Sequence, residues 1–195
     1  MGGVGSYFWQ DLWAAKKVFQ NPADIHYDIA SRVDGFIAHL LSFGQSVRAI
    51  DIRPADAVIP GYEFKQADAT NMDSFEDGTI KSLSALCSLE HFGLGRYGDE
   101  IDPEACFKCM HAIQNKMATG GNLYISVPIG MEHLVFNAHR VYYAQTIVDE
   151  FSQMTLMEFS CYVDGNVESN IDLHKYDNSS TEGALKIGLF HFKKK

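Results

Sequence analysis

Glu90 and His91 sit where an apolar run, Ser82 to Leu89, gives way to a polar, glycine-rich segment. Gly93, Gly95 and Gly98 alternate there with Arg96, Tyr97 and Asp99, ahead of Asp102-Pro103. An imidazole titrates near neutrality and can take up and return a proton. His139 follows the next apolar run, Asn122 to Pro128, so His91 and His139 could meet over one crevice. Both are candidate general bases, and Glu90 is a third candidate catalytic group. Arg96, Tyr97 and Asp99 supply the planar, aromatic and polar surfaces that grip a sugar-like or other polar acceptor.

A second set of residues is spaced along the first third of the chain. Asp28, Asp51 and Asp68 recur roughly 20 residues apart, about one strand-helix unit each. An acid ending the second strand of such a series can accept hydrogen bonds from two ribose hydroxyls, and the third can accept from the exocyclic amine of adenine. Together they point to an adenosine-type ligand. The turn after Asp28 reads Ile29-Ala30-Ser31-Arg32-Val33-Asp34-Gly35, with a single glycine, which disfavours a dinucleotide. The sequence has no Gly-Lys-Ser/Thr phosphate loop and no G-x-S-x-G elbow, which disfavours ATP hydrolysis and serine-hydrolase chemistry.

These residues need strands that end at one edge. The loosely alternating Ile25–Ala30, then Val47–Ile52, Tyr62–Ala67, the apolar run Ser82–Leu89 and Asn122–Pro128 read as strands. Helical spacing appears over Tyr7–Phe19, Phe36–Phe43 with Gly44 as its stop, Pro103–Met117 with Asp102 as N-cap, and Thr146–Phe151. Leu156–Val163 and Ala184–Phe192 lack an intervening helix, so one of them is expected to run antiparallel. The expected fold is α/β and Rossmann-like, a mostly parallel central sheet with an antiparallel closing strand and helices on both faces. A single domain over residues 1–195 is expected. Residues 1–22, with Trp9 and Trp13, form an aromatic helix that packs on the sheet or serves as a lid or interface, and 164–182 form a mobile loop.

Composition narrows the partners. The chain has 195 residues, 46% hydrophobic and 21% charged, with a formal net charge of -9. That balance argues against nucleic acid, whose affinity needs clustered Lys and Arg. No apolar stretch approaches the roughly 20 residues that span a bilayer, and no leader pattern opens the sequence. The four cysteines fit a reduced, cytoplasmic setting. Cys106 and Cys109 have redox or zinc spacing but lie in a helical pattern without a second pair, so they read as a structural helix face and no metal is expected. A homo-oligomer is compatible with the sequence.

Leu89-Glu90-His91, Pro103, and Ala118-Thr-Gly-Gly-Asn-Leu-Tyr-Ile-Ser-Val-Pro128 resemble the second half of class I S-adenosylmethionine-dependent methyltransferases. Four stretches are more specifically similar to the bacterial family catalogued as domain of unknown function 268: residues 27–43, Asp51-Ile-Arg-Pro54, residues 90–99 and Phe136-Asn-Ala-His-Arg140. That family is methyltransferase-like and often associated with surface-polysaccharide genes. The resemblance implies S-adenosylmethionine as cofactor, with Asp28, Ile29, Ala30 and Ser31 around its methionine part. Asp51 and Ile52 would meet the ribose and adenine, Asp68 and Ala69 would flank the adenine, and Ser88 and Leu89 would line the sulfonium side. Asn137 and Arg140 join Arg96, Tyr97 and Asp99 as candidate acceptor-binding residues. The first loop departs from the superfamily in holding Ala30, Arg32 and Asp34 where two or three glycines are usual. The implied activity is methyl transfer to a small molecule or glycan precursor. The alternatives are a non-catalytic methyltransferase-like binding protein and a different Rossmann-type enzyme acting on nucleotide-sugars.

Overall fold

A computed structural model describes residues 5–135, 137–179 and 185–195. Helix α1 (Ser6–Gln20) leads into β1 (His26–Ile29), α2 (Gly35–Ser42), β2 (Val47–Asp51), β3 (Tyr62–Gln66) and β4 (Ile80–Leu86). The second half holds α3 (Ala105–Lys116), β5 (Met117–Ile129), a hairpin of β6 (His133–Val135) and β7 (His139–Val141), and α4 (Ala144–Glu150). It closes with β8 (Met154–Val163), β9 (Asn166–Glu168) and β10 (Lys186–Lys194).

The main sheet runs β3-β2-β1-β4-β5-β10-β8-β9. Strands β1 to β5 pair in parallel, whereas β10 is antiparallel to both β5 and β8. The expected α/β architecture is present, and the antiparallel member is the last strand, wedged between β5 and β8. The chain steps from β1 outward to β2 and β3, then returns to β4 on β1's other side. That reversal opens a crevice at the carboxyl ends of β1 and β4, where open α/β sheets bind ligands.

Each sheet face buries its own apolar layer. Cys109, Met110 and Ile113 of α3 and Ile147 of α4 pack with Leu83, Ile125 and Phe190 on one side. Trp13, Ala14 and Val18 of α1 and Phe36, Ile37 and Leu40 of α2 pack with Val47, Tyr124 and Leu189 on the other. Cys106 and Cys109 are buried free thiols on α3, as a structural helix face requires.

The structure moves several expected boundaries. Strand β5 starts at Met117 rather than at the expected Asn122, with Thr119-Gly120-Gly121 forming a bulge inside it: the pairing with β4 jumps from Ile80↔Met117 to Ser82↔Asn122, with Gly120 at φ +78°. Helix α3 starts at Ala105, two residues later than expected, behind a turn over residues 103–104; Asp102 closes that turn as a cap would, its carboxylate accepting the Glu104 N–H at 3.0 Å and pairing with Lys108. The hairpin β6–β7 was not expected, since strands of three residues show no measurable period. Within 164–182, Asn166–Glu168 form a strand on β8, and Ile171, Leu173 and Tyr176 pack against the core. Residues 180–182 of that segment lie outside the described residues.

Candidate functional site

The candidate cofactor residues follow the carboxyl edge in sheet order: Asp68 and Ala69 after β3, Asp51 and Ile52 at β2, Ala30 and Ser31 after β1, Ser88 and Leu89 after β4. Ala30 stands at φ 62°, in the left-handed region that favours glycine. The first loop thus keeps a glycine-like backbone turn without the glycine. Asp28 does not reach the crevice. Its carboxylate is fully buried beneath it, accepting from Ser84 Oγ at 2.5 Å and from the Ser31 N–H at 3.3 Å, so it fixes the loop from below. Burial raises its pKa to about 6.

Asp51 and Asp68 differ in how they are engaged. The Asp68 carboxylate is exposed and accepts the N–H and hydroxyl of Thr70, a local turn. Asp51 forms a bidentate pair with Arg53. Ile52 beside it is 49% exposed, an apolar face open at the edge, while Ala69 is buried. Ser88 is 4% exposed, and its hydroxyl has no hydrogen-bond partner. Such an orphaned group in a crevice is a place where a ligand can bond.

A cavity of about 400 Å³ lies on the β4–β5–β10 side of this edge. Glu90, His91 and His139 line it, with Cys87, Tyr7 from the start of α1, Tyr162 from the end of β8, and an apolar floor that includes Pro128 and Ile187. The structure therefore brings the three candidate catalytic residues together. Three residues not singled out in the sequence join them: Tyr7 from the helix expected to pack on the sheet or serve as a lid, Cys87 next to Ser88, and Tyr162 from β8. The ring of His91 is 6.3 Å from that of His139, and its Nε2 is 3.9 Å from Glu90 Oε1.

The protonation pattern follows from the partners. A carbonyl only accepts, so the 2.7 Å bond between His91 Nδ1 and the Ala138 oxygen puts the proton on Nδ1 and leaves a lone pair on Nε2. Burial lowers the pKa of His91, helped by the nearby Arg96 charge, and burial likewise lowers that of His139. Both rings are neutral at pH 7. Glu90 is 2% exposed, and burial holds its pKa up at about 8, so it keeps its proton at neutral pH. Glu90 Oε2 and His139 Nε2 are buried without partners in the wall of this cavity.

The expected acceptor residues divide in two. The Arg140 guanidinium donates to the carbonyls of Phe92 at 2.6 Å and Pro103 at 3.1 Å. The Asp99 carboxylate accepts the N–H groups of Gly93, Gly95 and Tyr97. Both thus brace the loop. Arg96 and Tyr97 remain exposed at the mouth, where Tyr97 meets His91 edge-on at 5.6 Å. Exposed Asn137 turns the hairpin at φ 51° and offers its carbonyl to Arg96 at 3.3 Å.

Solved structures with the same architecture are numerous. A 1,6-didemethyltoxoflavin-N1-methyltransferase from Burkholderia thailandensis, solved with S-adenosylhomocysteine, superposes at a TM-score of 0.63, with 14% identity over 95% of this chain and 78% of its own. A putative methyltransferase from Bacillus halodurans gives 0.63 and 14%, covering 92% and 98%. The cyclase SpnF gives 0.67 and 10%, covering 96% and 81%. At these identities the likeness is one of fold, the Rossmann-like methyltransferase fold. No curated protein matches the sequence. The family model described as "Caenorhabditis protein of unknown function, DUF268" matches residues 57–186, a description that names Caenorhabditis rather than bacteria. The match begins after β2 and takes in β4, the Glu90–Asp102 loop and the hairpin with His139. With well over half its length inside that match, the chain belongs to the DUF268 family.

Proposed function

We propose that this protein is an S-adenosylmethionine-dependent methyltransferase acting on a small-molecule or glycan-precursor acceptor. One observation carries the reading: at the β1–β4 switch point, an edge fitted for an adenosine ligand adjoins a cavity of about 400 Å³ in whose wall buried Glu90 and partly buried His139 each hold a buried polar atom without a partner. The cofactor fits the residues present. Ala30 keeps the backbone turn that lets main chain approach a ligand, and Ser88 holds a buried hydroxyl without a partner. Asp51 would hold the ribose, Ile52, Asp68 and Ala69 the adenine, and Ala30, Ser31 and Ser88 the methionine and sulfonium side, while Ile29 and Leu89, expected there too, are fully buried in the core behind them.

When bound, the cofactor supplies an electrophilic methyl group. The chain's own contribution is position and proton handling. His91 Nε2, neutral and with its lone pair free, accepts the proton that an acceptor hydroxyl or amine must lose. Protonated Glu90 donates a hydrogen bond into the cavity, and His139 Nε2 offers a second polar anchor. Tyr7 and Tyr162 supply flat surfaces to an acceptor ring. A second reading, a methyltransferase-like binding protein without turnover, draws on Arg53, which already engages both oxygens of Asp51.

Calorimetry with S-adenosylmethionine and S-adenosylhomocysteine tests the proposal. We expect binding, its loss in Asp51→Asn, and a roughly 10²–10⁴-fold fall in labelled-methyl incorporation into cell extracts in His91→Gln. No binding at millimolar ligand would exclude the cofactor. Full turnover in His91→Gln would remove it as the base.

A further inference from the structure

This inference rests on the assignment of Asp51 to the ribose. The Asp51 carboxylate is already engaged: Oδ1 accepts the Arg53 main-chain N–H at 2.8 Å and its Nε at 3.0 Å, and Oδ2 accepts a terminal guanidinium nitrogen at 2.6 Å. A carboxylate has about four acceptor positions. Both on Oδ1 are used, and one remains on Oδ2. A ribose diol bonding both oxygens therefore cannot bind until at least one Arg53 N–H lets go. The side chain of Asp51 is 16% exposed and that of Arg53 49%, so the guanidinium shields the carboxylate from solvent.

That guanidinium has another contact to stay on. Its central carbon is 5.0 Å from the Tyr97 ring centroid, and that of Arg96 is 5.6 Å from the same ring. Tyr97 in turn touches His91, which lines the cavity. The neighbouring acids do not neutralise this pair. Asp99 keeps its charge but bonds three loop N–H groups and pairs with neither guanidinium, Glu90 is protonated at neutral pH, and Arg96 donates to the main-chain carbonyls of Asn137 and Ala138. Once Asp51 is taken by a ribose, two guanidinium groups share one aromatic ring at the cavity mouth.

We propose that Arg53 trades partners: the ribose diol takes Asp51, and the freed guanidinium, held on Tyr97 beside Arg96, receives a carboxylate or phosphate group of the acceptor. Arg53 is then a positioning residue that competes with the cofactor and selects an anionic acceptor. By linkage, an anion at Tyr97 and a ligand at Asp51 tighten each other by the same factor.

The test is titration of the full chain with S-adenosylhomocysteine, for wild type and Arg53→Gln, in sodium chloride and in inorganic phosphate at matched ionic strength. In chloride, Arg53→Gln binds roughly threefold to tenfold tighter, because a half-exposed ion pair no longer has to open. Phosphate tightens binding to wild type and leaves Arg53→Gln unchanged. Equal or weaker binding in Arg53→Gln overturns the trade, as does phosphate acting alike on both proteins or on neither. Failure of the underlying reading looks different: S-adenosylhomocysteine binds neither protein in either buffer, or Asp51→Asn binds it as well as wild type.

Discussion

Ala30 sits in a conformation that costs an L-residue about 1–2 kcal/mol, at the turn where β1 opens onto the crevice. Asp28 holds it there by accepting the Ser31 N–H from a carboxylate that is itself locked on Ser84. Replacing Ala30 with glycine removes that cost and adds back part of it as unfolded-state entropy. The net expectation for Ala30→Gly is a gain on the order of 0.5–1 kcal/mol, read as a rise of a few degrees in thermal midpoint. S-adenosylhomocysteine affinity should rise with it, since in the proposed site the cofactor lies against this turn. A lower midpoint would mean that the methyl group packs more favourably than the backbone is strained.

The Glu90–Asp102 loop is held as an element rather than by any one contact. Asp99 gathers three of its N–H groups, Arg140 clamps it from the hairpin at Phe92 and Pro103, and Gly93 closes it against Asp102. A Cβ on Gly93, at φ +73°, would lie 1.8 Å from the Asp102 carbonyl oxygen, whereas one on Gly98, at φ +85°, would meet nothing within 4 Å. Gly93→Ala should therefore cost about 2–3 kcal/mol in urea unfolding, and Gly98→Ala only about 1 kcal/mol, the backbone strain alone. Equal costs would show that the loop moves freely. Much of this edge was legible in sequence. Asp51 and Asp68 each end a stretch that reads as a strand, Ser88 and Glu90 end a third, and strand ends advertise themselves through period and turn chemistry. Tyr7 was legible only as part of a helix that could pack on the sheet or serve as a lid, and Tyr162 was not legible, because it reaches the cavity from an element far away in the chain. Nor was the bracing role of Asp99 and Arg140, since their residue types suit a ligand as well as a main-chain carbonyl or N–H. Arg53 stood in view, two residues past Asp51. Its pairing depends on side-chain geometry that spacing does not encode.

At the scale of the whole molecule, buried titratable groups on the sheet face under α1 and α2 and in the cavity wall should set how stability responds to pH. His26 is fully buried between Ser82 and Ser84, and Ser84 passes its own hydrogen to Asp28, so the ring donates from Nε2 and accepts at Nδ1 in the neutral form. Burial lowers its pKa to about 3, and burial beside Lys17 lowers that of His191 to about 4. His91 and His139 are lowered as well. Below the ordinary histidine value of 6.5 the unfolded chain takes up these protons and the folded chain does not, so stability falls as pH falls. Asp28 and Glu90, raised to about 6 and about 8, have the opposite sign. The folded chain keeps their protons where the unfolded chain has lost them, which offsets two of the four histidines between about pH 4.5 and 6. Above 6.5 the histidines no longer contribute, and Glu90 alone among these groups still differs between the two states until about pH 8. Stability should therefore peak near pH 6.5 and decline by on the order of 1 kcal/mol per pH unit toward 8. Urea midpoints across pH 5 to 8 check this, and Glu90→Gln, which imitates the protonated carboxyl, should abolish the alkaline decline and steepen the acid side, because one of the two offsets to the histidines goes with it. A wild-type midpoint that stays level from 6.5 to 8 would mean that Glu90 is ionised in its cavity, and that the hydrogen bond it is proposed to donate to an acceptor does not exist.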